Sequence, residues 1–143
     1  MPLTRIEQRA RRRARARVLQ AVYAWDLARS GSLRAVADRL WADLSLGAEE
    51  REFATPLIET LAARAVEIDA ALTEVTAHWR LERIGTIERA VLRLATAELL
   101  RAEVPPRVTL QEAVQLAERF GAPESARFVN GVLDAVARRL RSV

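Results

Sequence analysis

Apolar residues recur at three- and four-residue steps through almost the whole chain, and little interrupts them. Among 143 residues there are five Gly and five Pro, and the Gly stand singly at 31, 47, 85, 121 and 131. Such spacing lays an apolar stripe along one face of a helix and cannot be fitted to a strand, whose faces alternate at every residue. The expected fold is all-α, without strands.

Ala14, Val18, Ala21, Val22 and Trp25 predict a first helix over 4–28, ended by Ser30-Gly31-Ser32. Val36, Leu40 and Trp41 predict a second over 33–44. Phe53, Leu57, Leu61, Ile68, Leu72 and Val75 give a long third candidate from 49 to 77. Pro56 lacks a backbone N–H and crowds the residue four before it, so a boundary or bend is expected near 52–56. After a short segment at 79–84, Thr86 is placed to cap a helix that is apolar on most sides and so central. Val104-Pro105-Pro106 reads as a rigid linker, and Thr109 with Glu112 as a capping box opening a helix that stops at Gly121. A last helix covers 125–141. These about seven helices suit one domain, 1–143, built as two packed three-helix bundles over about 1–78 and 79–143.

The charge is unevenly placed. Residues 1–17 hold seven Arg against Glu7 alone, whereas the other 126 residues carry 16 Arg and 18 acidic groups. A nearly neutral body with one basic end suggests a localised docking site for a polyanion, nucleic acid first. On a helix, Arg5, Arg9, Arg12 and Arg13 share a sector, and Arg11 and Arg15 an adjoining one. The competing reading is a solvated or frayed basic tail. Tyr23 lies on the same helix and Arg127-Phe128 near the start of the last one. Planar side chains beside Arg stack unpaired bases, although each aromatic alone also suits a core.

Other chemistry finds little to work with. His78 is the only His and there is no Cys, which leaves no zinc ligand set and no disulfide. His78 itself reads as a bland interhelical or surface residue. No Gly-rich phosphate loop occurs. Glu49 and Glu50 sit where acids favour a helix start. No cofactor or metal is expected. With neither an apolar signal segment nor a run long enough to span a bilayer, a cytoplasmic home away from membranes is the simplest expectation.

Arg11-Arg12-Arg13-Ala14-Arg15 followed by Val18 to Trp25 resembles the opening of the NusB family of bacterial transcription antitermination factors. Ile87 to Ala95, Glu98-Leu99, Val104-Pro105, Glu112-Ala113-Val114, Phe120-Gly121 and Phe128 to Asp134 follow in that family's order and spacing. The middle, 29–75, matches loosely, and Ala16, Glu59-Thr60 and Pro106 depart from the family's pattern.

The resemblance implies a seven-helix fold of two three-helix bundles. It also implies binding of the boxA element of ribosomal RNA leader transcripts together with NusE, a small-subunit ribosomal protein. Other Nus factors and RNA polymerase complete the assembly. By analogy, the RNA-binding residues are Arg9, Arg11, Arg12, Arg13, Arg15, Tyr23, Glu124, Arg127 and Phe128, while Glu82 and Glu88 fall near the RNA and NusE surfaces. Asn130 and Gly131 are assigned to structure, Gly131 for close helix approach, and Asp134 to a pair with Arg138. The sequence is compatible with a homodimer in the free state.

A related module begins certain ribosomal RNA cytosine methyltransferases, whose catalytic domain carries a Cys nucleophile; this chain has no Cys and is not expected to be an enzyme. The alternatives are a helical DNA-binding regulator and a protein-interaction scaffold. Contact of six Arg with phosphates of single-stranded RNA predicts a slope of log K against log salt near about −4.

Overall fold

A computed structural model describes residues 2–76 and 80–141, so the reading of His78 lies outside the described residues. Among the described residues seven α-helices follow in order: α1 (Arg5–Ala28), α2 (Leu33–Leu44), α3 (Ala48–Ala63), α4 (Ala65–Val75), α5 (Thr86–Arg101), α6 (Pro106–Phe120) and α7 (Ser125–Arg141). One 3-10 turn, Leu81–Arg83, precedes α5. The described residues contain no strand. None of the helices among them is long and apolar enough to cross a membrane.

The chain forms two compact units, Met1–Ala63 and Arg64–Val143, so the division falls earlier than residue 78. In the first, α1 packs on α2 and α3, and α2 on α3. Thr4 caps α1: its hydroxyl accepts the Glu7 N–H at 3.1 Å, and Glu7 accepts the Thr4 N–H at 3.3 Å. This reciprocal box satisfies two helix-end donors, so the arginine-rich stretch begins as helix and not as a frayed tail. Val18, Val22, Trp41, Leu57 and Ile58 are fully buried, and the Trp41 indole donates to the Arg17 carbonyl at 3.4 Å.

The bend expected at Pro56 is not where the helix ends. Pro56 lies inside α3, which runs on to Ala63. A mid-helix proline costs about 3 kcal/mol. Each fully buried Leu or Ile side chain contributes roughly 1.5–3 kcal/mol, and α3 buries Leu57, Ile58 and Leu61 with Ala54. The packing outweighs the missing hydrogen bond. The break comes at Arg64, whose φ of −114° and ψ of 24° leave the helical region.

In the second unit α4 packs on α5 and α7, α5 on α6 and α7, and α6 on α7. The expectation of a central α5 holds: between Ala90 and Glu98 only Arg93 escapes full burial. Arg93 grips Asp69 through two bonds of 3.0 and 3.1 Å, and Arg139 donates to Glu74 at 2.6 Å, joining α4 to α5 and α7. The Thr109 capping box does not form. Pro105 precedes the helix and Pro106 opens α6, where a missing N–H costs nothing, so Thr109 is interior and buried.

Candidate nucleic-acid interface

The first unit carries the arginine cluster on α1, where α3 sorts it into held and presented side chains. The Arg11 and Arg15 guanidinium carbons stand 4.9 and 4.8 Å from the centroid of one ring, Phe53 of α3. One helical turn separates the two cations, which lets both use the same aromatic ring. Arg13 Nε donates to Glu50 Oε1 at 2.9 Å, and Glu50 lies in the first turn of α3. Arg15 is only 3% exposed. It therefore departs from the expectation of a solvent-facing cation: its guanidinium is taken up by packing on Phe53. Arg9 and Arg12 face solvent, as does Arg5. Arg5 and Arg9 form no ion pair among the described residues. Tyr23 is half-buried further along α1.

The second unit brings Glu124, Arg127 and Phe128 together at the start of α7. Glu124 and Arg127 are exposed and Phe128 is half-buried. The backbone there is fixed by Ser125, which is 3% exposed. Its hydroxyl accepts the Ala122 N–H at 2.9 Å and donates to Glu88 Oε2. A Cβ at Gly121 would lie 2.8 Å from both the Ala117 carbonyl oxygen and Ser125 Oγ, so this turn closes only with glycine. Sequence reading assigned Gly121 to a helix stop and passed over Ser125. A serine one residue after Pro-Glu looks like an ordinary helix opener, and the side chain it meets is 37 residues away.

Glu88 is thus drawn inward. It is half-buried in the first turn of α5, held by Ser125, and a Cβ at Gly85 would collide with its Oε1. Glu82 is different: it lies exposed on the 3-10 turn, which Arg89 braces by donating to the Leu81 and Ile84 carbonyls at 3.2 Å each. On α7, Arg138 pairs with Asp134 at 3.0 Å, as the spacing predicts. Asn130 and Gly131 do not serve the structural roles expected of them. Both are exposed, and a Cβ at Gly131 would meet nothing within 4 Å.

These features define a class: an all-helical protein with exposed arginines on α1 and at the start of α7. The described residues contain no group of His, Cys, Asp and Glu that could hold a metal ion. The model of the NusB family matches residues 12–138, and the chain belongs to that family. It is 39% identical over 134 residues to the transcription antitermination protein NusB of Solibacter usitatus, covering 92% of this chain and 90% of the relative. Among solved structures it is similar to T. maritima NusB, with a TM-score of 0.83 and 33% identity over 90% of each chain. It also resembles a chain in a crystal structure of antitermination factors NusB and NusE in complex with dsRNA. The TM-score there is 0.81 at 28% identity, covering 92% of this chain and 98% of that one.

Proposed function

We propose that the chain acts as a transcription antitermination factor that binds boxA RNA of ribosomal RNA leader transcripts together with NusE. The observation that carries this reading is the likeness, over 92% of the chain, to a chain of the NusB, NusE and dsRNA complex. In this reading residues 1–143 form one functional domain in the cytoplasm, without catalytic chemistry, and the complex joins other Nus factors and RNA polymerase. The free protein forms a homodimer, which gives way to the complex with RNA and NusE.

Capture is electrostatic. Arg5, Arg9 and Arg12 of α1 and Arg127 of α7 meet phosphates, with Arg11 and Arg13 beside them, while Arg15 acts from beneath by fixing Phe53. Tyr23 and Phe128 stack on bases, Glu124 accepts from a base edge, and the exposed Glu82 meets NusE. Glu88 supports this surface through Ser125. Counting the four presented arginines, log K falls with log salt at a slope near about −3, shallower than six contacts would produce.

The test is a titration of labelled single-stranded boxA RNA, with and without NusE, against scrambled RNA, duplex RNA and duplex DNA. A preference for boxA that NusE sharpens is the expected result. Equal binding of scrambled RNA would reduce the protein to a basic scaffold, and a preference for duplex DNA would make it a DNA-binding regulator.

A further inference from the structure

The second unit has a surface that meets the site above only at Arg127. A groove of about 1060 Å³ runs between α6 and α7, bordered by Arg107, Arg127, Arg138 and Arg141 and by only two acids, Glu118 and Asp134. Asp134 is already engaged by Arg138. Arg107, Arg127 and Arg141 are exposed, and their side chains form no hydrogen bond or ion pair among the described residues. Three uncompensated guanidinium groups along one groove give it a positive potential that attracts an extended anion.

The occupant is narrowed by what lies between the charges. Gln111, Gln115 and Asn130 line the groove, and amides both donate and accept, as base edges do. Four residues join α6 to α7, so the two helices run antiparallel. Arg107 and Arg141 therefore share one end and Arg127 the other, about 21 Å away along α7. Arg127 is also the neighbour of Phe128, which makes the groove continuous with the RNA-contacting end of α7 proposed above.

Gly131 is the second, independent observation. At 100° per residue it lies on the exposed stripe of α7 beside Arg127 and Arg138, which do border the groove. An interior helical glycine lowers helix stability relative to alanine. Here nothing in the chain requires it, since its surroundings are empty. The missing side chain leaves bare backbone where a partner can come close.

We infer that the α6–α7 groove is an extended track for single-stranded RNA, in which Arg127, Arg107 and Arg141 hold phosphates and Gly131 admits the strand. This rests on the RNA-binding reading above and adds to it a run of about four nucleotides beyond the contact at the start of α7. An acidic protein segment is the other class of occupant, but it would leave the amides and the continuity with Phe128 without use.

The test compares boxA RNA with the same RNA lengthened by about four nucleotides at its 5′ or its 3′ end. One of the two longer RNAs is expected to bind about tenfold tighter, with a salt slope steeper by about 1.4 for two more phosphates. The double variant R107A/R141A should lose this gain and keep the affinity for the shorter RNA. G131A should raise the melting temperature yet lose the gain about fivefold, a pairing that a merely structural glycine would not produce. Equal binding of short and long RNA by the wild-type chain would overturn the track while leaving the boxA reading intact. Failure to bind the short RNA would overturn that reading and the track with it. Loss of NusE binding in R107A/R141A, with both RNA affinities unchanged, would assign the groove to protein and overturn the proposal.

Discussion

Two helices present arginine in different ways. On α1 the cations are held from below: Phe53 carries Arg11 and Arg15, and Glu50 carries Arg13. On α7 the order is in the backbone, pinned by Ser125, Glu88 and the tight turn at Gly121, while Arg127 has no partner among the described residues. A held guanidinium loses less rotamer entropy when a ligand arrives, since each immobilised long side chain otherwise costs about 0.5–1.5 kcal/mol. It also offers less, because part of its charge is already spent. The α1 surface is therefore suited to recognition in a set geometry, and the α7 surface to adaptable electrostatic capture.

Removing Phe53 should break this contrast most sharply. The ring is half-buried, so F53A loses less than a fully buried Phe would. With the two cation contacts included, the expected destabilisation is about 2–3 kcal/mol by urea unfolding. At temperatures where the variant remains folded, RNA affinity should drop about tenfold as two side chains regain their freedom. F53L separates the causes: it should restore most of the stability and little of the affinity. An F53L protein that binds RNA like wild type would show that Phe53 only fills space.

Next in size is the α7 anchor. S125A removes a buried hydroxyl that serves one N–H and one carboxylate, and should cost about 1–2 kcal/mol in denaturant unfolding. Because Arg127 is not itself held, the affinity for RNA should change much less than in F53A at matched folded fractions. A fall in affinity as large as that of F53A would erase the distinction between an ordered cation and an ordered backbone.

How much of this was legible beforehand follows from the range of the interactions. Helices α1, α2 and α7 could be read almost to the residue, because their apolar stripes and the breaks beside them, Ser30-Gly31-Ser32 and Pro123, are local. The start and end of α3 were harder, since Pro56 is a strong local breaker overruled by burial that only the packed unit supplies. The arginine cluster was visible as charge. Its division into held and presented members was not, because it depends on Phe53 and Glu50, which follow Arg13 by about 40 residues of chain. Phe53 looked like one more core position at helical spacing, and Gly131 like a packing glycine. In both cases the residue type was legible but not its neighbour.

The mildest change concerns Glu50, and here the sign matters more than the size. Its pair with Arg13 joins a side chain 53% exposed to one 17% exposed, so solvent screens much of the attraction. E50Q keeps an acceptor for Arg13 Nε and should alter stability by less than about 1 kcal/mol, including the lost charge at the start of α3. Its effect on RNA should be a gain. With Glu50 neutral, Arg13 regains its full charge on the exposed side of α1, and the salt slope should steepen by about 0.7, the share of one phosphate. R13A is the matching control: it deletes a cation that is already compensated, so its slope should stay near the wild-type value. If E50Q leaves the slope unchanged and R13A flattens it, Arg13 already meets a phosphate despite Glu50, and the held members of the cluster are contacts in their own right.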